Sequence, residues 1–221
     1  MTQLWLPSRR KFISASAFLS AAMVTPGLLA DELTLTPAQT EGPFYPTKLP
    51  LDTDNDLIII NNALTPAVGE ITYLSGKVMD AKGNPVRNAL VEIWQVDGNG
   101  AYLHQGTSNR DKQDQNFQGF GRFHTGLGGD YLFRTVKPIP YPGRTPHIHF
   151  KVIRKGQPDF VTQCYVKGHP GNARDGILNR LGGEDKINAL LVDFKPVENS
   201  RAGELSATFN IVLGVTPEDR S

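Results

Sequence analysis

Cysteine is nearly absent from this sequence: Cys164 stands alone in 221 residues, which excludes an intramolecular disulfide. Charge imbalance is as scarce. Lys and Arg number 23 against 22 Asp and Glu, a formal net charge of +1, so nothing electrostatic points to nucleic acid as a partner. There is no internal repeat, no heptad pattern and no phosphate-binding glycine motif. Helical periodicity is weak everywhere. One candidate lies somewhere in Ala173–Leu191, interrupted by Gly182 and Gly183. The first thirty residues contain no Asp or Glu at all.

Those thirty residues have the layout of an export signal. Arg9, Arg10 and Lys11 precede an apolar run from Phe12 to Ala30. The string Ser8-Arg9-Arg10-Lys11-Phe12-Ile13 resembles a twin-arginine signal, a receptor-read address rather than an anchor. Ser14, Ser16, Ser20, Thr25, Pro26 and Gly27 weaken the run as a membrane span. Cleavage after Ala30 is expected. The mature chain then carries 20 basic against 22 acidic residues, since the three positive charges leave with the signal. The expected location is periplasmic or otherwise exported, with no stable membrane span in the mature form.

Gly and Pro are plentiful, 22 and 16 residues, which implies many turns and long loops. Residues 31–68 are rich in Thr and Pro and read as an extended arm. From residue 69 onward the text becomes strand-like. Strands are expected over Ile71–Met79, Leu90–Val96, Tyr131–Val136, His147–Ile153, Phe160–Val166, Leu190–Phe194 and Leu205–Leu213. Gly100–Gly129 reads as a long irregular loop, a length that is usually functional. The fold class is all-β: a β-sandwich of short, mostly antiparallel strands with long loops and little helix, forming one catalytic domain over 69–221.

His147 and His149 are the sharpest chemical signal. Residues i and i+2 of a strand share a face, so two imidazoles one step apart can reach one metal ion. A bare His-x-His also suits a strand with one wet face. Here Ile148 and Phe150 make the opposite face apolar, and Pro146 sets the pair at a strand start. Imidazole accepts Zn, Cu, Fe or Ni. The neighbourhood offers tyrosines rather than carboxylates: Tyr141 between Pro140 and Pro142, and Tyr102 after a strand end. A phenol titrates near 10, so only a strongly acidic cation such as ferric iron holds it as phenolate at neutral pH. Either ring could instead simply cap the core. Arg144 could stabilise negative charge on a bound molecule, or be a solvated loop arginine.

Together these residues match a family. Pro140-Tyr141-Pro142 followed by Arg144-Thr145-Pro146-His147-Ile148-His149-Phe150 resembles the second metal-binding segment of the intradiol ring-cleavage dioxygenases, nearest their protocatechuate 3,4-dioxygenase-like members. Gly76–Asp80, Leu90–Asp97 and on to Tyr102 resemble the first segment. Asn116–Arg122, Tyr131–Thr135, Phe160–Gln163 and the arm motif Thr40–Phe44 also fit, so the likeness spans residues 36–168. The resemblance implies one non-haem ferric ion per chain, held by Tyr102, Tyr141, His147 and His149. It implies Arg144 as the catalytic arginine, Tyr141 as a ligand displaced during turnover, and Gly42, Pro43 and Gln163 as pocket residues. The implied partners are an aromatic diol and O₂, in a homo- or hetero-oligomer, with a cis,cis-muconate-type product. Gly143 stands where the protocatechuate enzymes carry a bulky aromatic, and the loop from Tyr141 to His147 is shorter, so the ring substituent stays open.

Two other readings compete. One is a non-catalytic, exported, prealbumin-like binding module. The other is a copper or zinc enzyme using His147, His149 and His124, in which the tyrosines are dispensable. Outside that set, His124 and His169 read as loop residues, and His104, close to Tyr102, reads as solvent-exposed or as a support behind that tyrosine.

Overall fold

A computed structural model describes residues 33–214. The expected export segment, residues 1–30, lies outside them. Ten strands appear in chain order: β1 (Ile71–Met79), β2 (Leu90–Trp94), β3 (Phe120–His124), β4 (Asp130–Val136), β5 (His147–Ile153), β6 (Phe160–Val166), β7 (Leu191–Val192), β8 (Phe194–Pro196), β9 (Leu205–Thr208) and β10 (Ile211–Val212). Two short helices, α1 (Gly176–Asn179) and α2 (Glu184–Asn188), flank the Gly182-Gly183 break. None of the described helices is long and apolar enough to cross a membrane.

The strands form two five-stranded sheets. In the first, β1 pairs antiparallel with β4 on one edge and parallel with β9 and β10 on the other, and β8 pairs antiparallel with β9. The second runs β3-β2-β5-β6-β7, antiparallel except for the parallel β6–β7 pair. The sheets bury their apolar faces against each other. Leu74, Val78 and Phe133 from the first meet Val91, Ile93, Ile148, Phe150 and Val152 from the second. Phe150 carries the contact across, with ring centroids 5.9 Å from Tyr131 and 5.1 Å from Phe209. The fold is the expected all-β sandwich.

Three elements differ from the sequence expectation. Leu190–Phe194 divides: β7 ends the second sheet, and after Asp193 the chain crosses to the first as β8. Leu205–Leu213 breaks at Phe209 and Asn210, where the Asn210 side chain takes the Lys77 N–H and the Phe209 carbonyl takes the Tyr131 hydroxyl. Both groups would otherwise extend the ladder. The third is β3, which lies inside the stretch read as irregular loop. Its apolar pattern is interrupted by Gly121, because the arm packs there: a Cβ on Gly121 would sit 2.6 Å from Leu57 Cδ1 and 2.9 Å from the Asp54 carbonyl.

Leu57 and Ile58 are fully buried, so the arm supplies part of the core. Nearer its start, it runs beside β6, where Gln39 N–H donates to the Val161 carbonyl and Thr162 Oγ1 donates to the Pro37 carbonyl. The arm then covers the outer face of the second sheet. That cover matters because β5 buries Ile148, Phe150 and Val152 inward and sends His147 and His149 outward, yet all five are buried.

Gly121→Ala tests the arm–sheet contact. The added methyl overpacks against Leu57 and the Asp54 backbone, so stability should fall by about 1–3 kcal/mol. A urea melt should show a lower midpoint at unchanged slope. An unchanged midpoint would mean that the arm does not pack on β3 in this way.

Candidate metal centre

The outer face of the second sheet is set by register. Trp94 of β2 stands opposite His149 of β5, which stands opposite Gln163 of β6; His147 stands opposite Tyr165. Trp94 stacks on the His149 ring at 4.7 Å and 13°. His147 Nδ1 lies 2.7 Å from the Thr145 carbonyl. A carbonyl only accepts, so Nδ1 carries the hydrogen and Nε2 presents a lone pair. Burial, then the Arg144 charge, pushes His147 down to about 3. Burial, then His147 and Arg144, holds His149 well below the usual imidazole range. Both rings are therefore neutral, the form that ligates a metal.

Tyr102 comes from a loop built around Asp97. The Asp97 carboxylate accepts the N–H groups of Asn99 and Ala101 on one oxygen and of Asp114 on the other. Thr107 Oγ1 then accepts the Tyr102 N–H. The ring is 1% exposed. Its Oη lies 3.3 Å from His147 Nε2 and 3.2 Å from His149 Nε2, and the two nitrogens are 3.2 Å apart. Hydrogen bonds cannot account for this triangle. His147 Nε2 has no hydrogen, and the other two atoms carry at most one each. At most two of the three edges can therefore be hydrogen bonds. The separations suit neighbouring ligands about 2 Å from a single cation. Burial and the neighbouring Tyr141 hold the Tyr102 phenol well above 10, so without a cation it stays protonated. Among the described residues no group of three His, Cys, Asp and Glu could hold a metal. The donor set is two imidazoles plus phenol, without carboxylate.

Tyr141 is the half-exposed member of the cluster. Its ring lies 5.3 Å from that of Tyr102 and 5.5 Å from that of His147. A tight turn presents it: Arg144 N–H donates to the Tyr141 carbonyl at 2.9 Å across Pro142 and Gly143. Gly143 has φ 81°, the third-position conformation of a type II turn, which disfavours any residue with a Cβ. That requirement accounts for the glycine where an aromatic was the family expectation. The same turn aims Arg144 inward, where Nη2 donates to Gln163 Oε1 at 2.7 Å and to Tyr165 Oη at 3.3 Å, and Nε to Asp175 at 2.9 Å.

The arm closes the cluster. A methyl on Gly42 would sit 3.6 Å from His149 Cε1. Phe44 stacks on Tyr102 at 4.8 Å and meets Tyr141 edge-on at 6.0 Å. Gln163 Nε2 donates to the Thr40 carbonyl, and Lys151 pairs with Glu41 at 2.8 Å. Pro43 is exposed. The structure thus brings Tyr102, Tyr141, Arg144, His147, His149, Gln163 and Gly42 together, with Pro43 at the outer rim.

His124 does not join them. It is exposed and pairs with Leu90, at the end of β2 away from Trp94. The three-histidine copper or zinc set is therefore not assembled. His104 and His169 take loop roles, accepting the N–H groups of Gly106 and Gly171. The sequence reading missed Trp94, Phe44, Thr145, Tyr165 and Asp175. Trp94 and Phe44 sit inside motifs it used, but their partners depend on register. Asp175 is 31 positions from Arg144, with no local signal.

The family model described as Dioxygenase matches residues 40–215. The protocatechuate 3,4-dioxygenase beta chain of Burkholderia cepacia is 35% identical over 187 residues, covering 77% of this chain and 76% of the relative. The hydroxyquinol 1,2-dioxygenase of Corynebacterium glutamicum is 30% identical over 181 residues, covering 73% of this chain but only 56% of the relative. Among solved structures, the dioxygenase domain of a dioxygenase carbohydrate-binding protein fusion from Streptomyces sp. SirexAA-E superposes with a TM-score of 0.63 at 31% identity, over 83% of this chain and all of that one. The chain belongs to the intradiol ring-cleavage dioxygenases, a family of oxidoreductases.

Proposed function

We propose that this protein is a ferric intradiol dioxygenase. It opens a catechol-type ring between its two hydroxylated carbons, inserts both oxygen atoms of O₂, and releases a cis,cis-muconate-type diacid. The observation that carries the reading is the convergence of Tyr102 Oη, His147 Nε2 and His149 Nε2 at 3.2–3.3 Å. A donor set of neutral imidazoles and phenols without carboxylate suits ferric iron, one ion per chain. Protocatechuate and hydroxyquinol, in the relatives' names, both contain the 1,2-diol the reaction needs. The relative named as a beta chain supports assembly with further chains.

The ferric ion would supply Lewis acidity and a template for the diol. The protein supplies the rest. Tyr102, His147 and His149 are the lasting ligands, each buried and fixed by a neighbour. Tyr141, the partly exposed member of the cluster, would be the ligand that yields its place, and its oxygen would accept a proton from the incoming diol. Arg144 stabilises negative charge that builds on the ring, a preorganised role because Gln163 and Asp175 already hold the guanidinium. Phe44, Trp94 and Gly42 shield the cluster from water. Export by the twin-arginine route belongs to the same proposal, supported by Arg9, Arg10 and the apolar run after them.

The purified protein should contain one ferric ion per chain and be red to burgundy, the colour of phenolate-to-iron charge transfer. Tyr102→Phe, His147→Ala and His149→Ala should each lose most of the iron, whereas Tyr141→Phe should retain more. Metal analysis beside the visible spectrum checks both points; a colourless protein with stoichiometric zinc would refute the ferric assignment.

Arg144→Ala should keep iron and colour and still change colour when a diol binds. Its turnover should fall on the order of 10²-fold, because the lost interaction grows toward the transition state. Stopped-flow mixing of the enzyme–diol complex with O₂ is the measurement, with catechol, protocatechuate and hydroxyquinol screened for the best substrate. Decay as fast as the parent's would make Arg144 structural.

Replacing Arg9 and Arg10 together by Lys should leave the precursor folded in the cytoplasm. Fractionation checks it, and normal secretion of this variant would point to the general secretory route.

A further inference from the structure

Behind the cluster lies the segment His169–Leu178, which the sequence reading left without a role and the proposed mechanism uses only through Asp175. Thr145 Oγ1 donates to Asn172 Oδ1 at 2.7 Å and lies 3.1 Å from His169 Nδ1. The Asp175 side chain is fully buried and accepts four donors. Oδ1 takes the N–H groups of Ile177 and Leu178, both at 3.0 Å, and so caps α1. Oδ2 takes Arg144 Nε at 2.9 Å and Thr145 N–H at 3.0 Å. Burial alone would raise this carboxyl. The hydrogen bonds from Leu178, Thr145 and Arg144 outweigh it and hold it below the usual range, so it is a carboxylate.

One oxygen thus grips two consecutive residues with different destinations. Arg144 places its charge beside the cluster, where it favours the charged form of Tyr102 and the neutral forms of His147 and His149. Thr145, held on the same oxygen, offers its carbonyl to His147 Nδ1 at 2.7 Å. We propose that Asp175 is a positioning residue of the site, setting the Arg144 guanidinium for turnover and the His147 ring, through Thr145, for metal retention. A capping aspartate needs only one oxygen for the helix. The second has no structural task except this pair. Asp175 bonds to Arg144, Thr145 and its own helix and to none of the donor atoms, and its effect on turnover rests on the Arg144 role proposed above.

Asp175→Ser separates the two functions of the side chain. Serine is as good a helix cap as aspartate, but it is too short to keep the cap and also reach Arg144 Nε. The iron-loaded variant should melt cooperatively and still change colour with the best of the three diols. Its turnover should fall about tenfold or more, with little change in KM. Added to Arg144→Ala, Asp175→Ser should lower turnover by less than about twofold further, because both changes act through one guanidinium. Independent of activity, the loaded Asp175→Ser protein should give up its metal to a chelator about tenfold faster than the parent, as loss of a residue supporting a histidine ligand does; Arg144→Ala alone should not.

Two outcomes overturn the proposal: losses that multiply in the double variant, or parental turnover and chelation rate in Asp175→Ser. Parental turnover in Arg144→Ala alone would instead overturn the role given to Arg144, and the chelation arm would still judge Asp175. If Asp175→Ser does not fold, Asp175→Asn serves in its place. It keeps the capping oxygen and sets an amide N–H₂ against the Arg144 and Thr145 donors, with the same expected pattern.

Discussion

Two neutral imidazole nitrogens and a phenol oxygen lie within 3.3 Å of one another in a site that water barely reaches, and their hydrogens cannot satisfy all three contacts. Buried polar atoms left unsatisfied are expensive, about 1–3 kcal/mol each. A fold that brings these three donor atoms to one point leaves at least one of their contacts without a hydrogen bond, whereas a shared cation would engage all three. The rest of the architecture can be derived from that constraint. The ligands must be rigid, because a floppy imidazole would turn its lone pair toward a nearer donor. They must also be dry, because water would satisfy the lone pairs separately and weaken the charge attraction on which binding rests.

Rigidity is achieved differently for each ligand. His147 is fixed by a hydrogen bond from Nδ1 to the Thr145 carbonyl, a common support for a ligating histidine. His149 Nδ1 has no hydrogen-bond partner among the described residues, so its ring is held by stacking on Trp94 and by the nearby Gly42. Tyr102 is held by a loop wound on the Asp97 carboxylate and by Phe44 stacked on its face. Dryness comes from the arm. Its path from Thr36 to Tyr45 is tied down by the Val161 carbonyl, Gln163, Lys151 and the buried Glu92. The arm therefore both builds the fold and closes the site, which ties metal retention to its docking.

Much of this was legible in the sequence, and the reason is local. A His-x-His on a strand, a tyrosine framed by prolines and an arginine three residues before the pair are short-range features, and the strand period fixes their common face. The β1, β5 and β6 boundaries were legible for the same reason: short runs rich in β-branched and aromatic residues, set between turn residues. What escaped depends on distant parts of the chain. Gly121 breaks the pattern of β3 because Leu57 occupies the space of its side chain. Leu57 and Ile58 looked like arm residues because their burial comes from β3 and the core. The pairing of Trp94 with His149 needs the β2–β5 register, and Asp175 reaches Arg144 only once the chain has folded back from β6 through His169.

The electrostatics of the cluster turn on where charge is allowed. Tyr102, His147 and His149 are neutral before a cation arrives, and the nearest permanent charge is Arg144, with 13% of its side chain exposed. An unpaired guanidinium at that depth would carry a heavy desolvation penalty, which the fully buried Asp175 carboxylate offsets. The pair is near neutral from a distance but directional at close range. Nε and Nη2 are committed to Asp175, Gln163 and Tyr165, whereas Nη1 has no recorded partner among the described residues. Two N–H groups thus remain for negative charge that exists only when a substrate is present. Without Asp175 the charge of the same arginine would be uncompensated and its side chain free to swing toward solvent. Paired, it would repel a cation at the cluster less. Neutral imidazoles, a compensated arginine and a partly buried Tyr141 at the edge of the cluster leave the site with little buried net charge of its own.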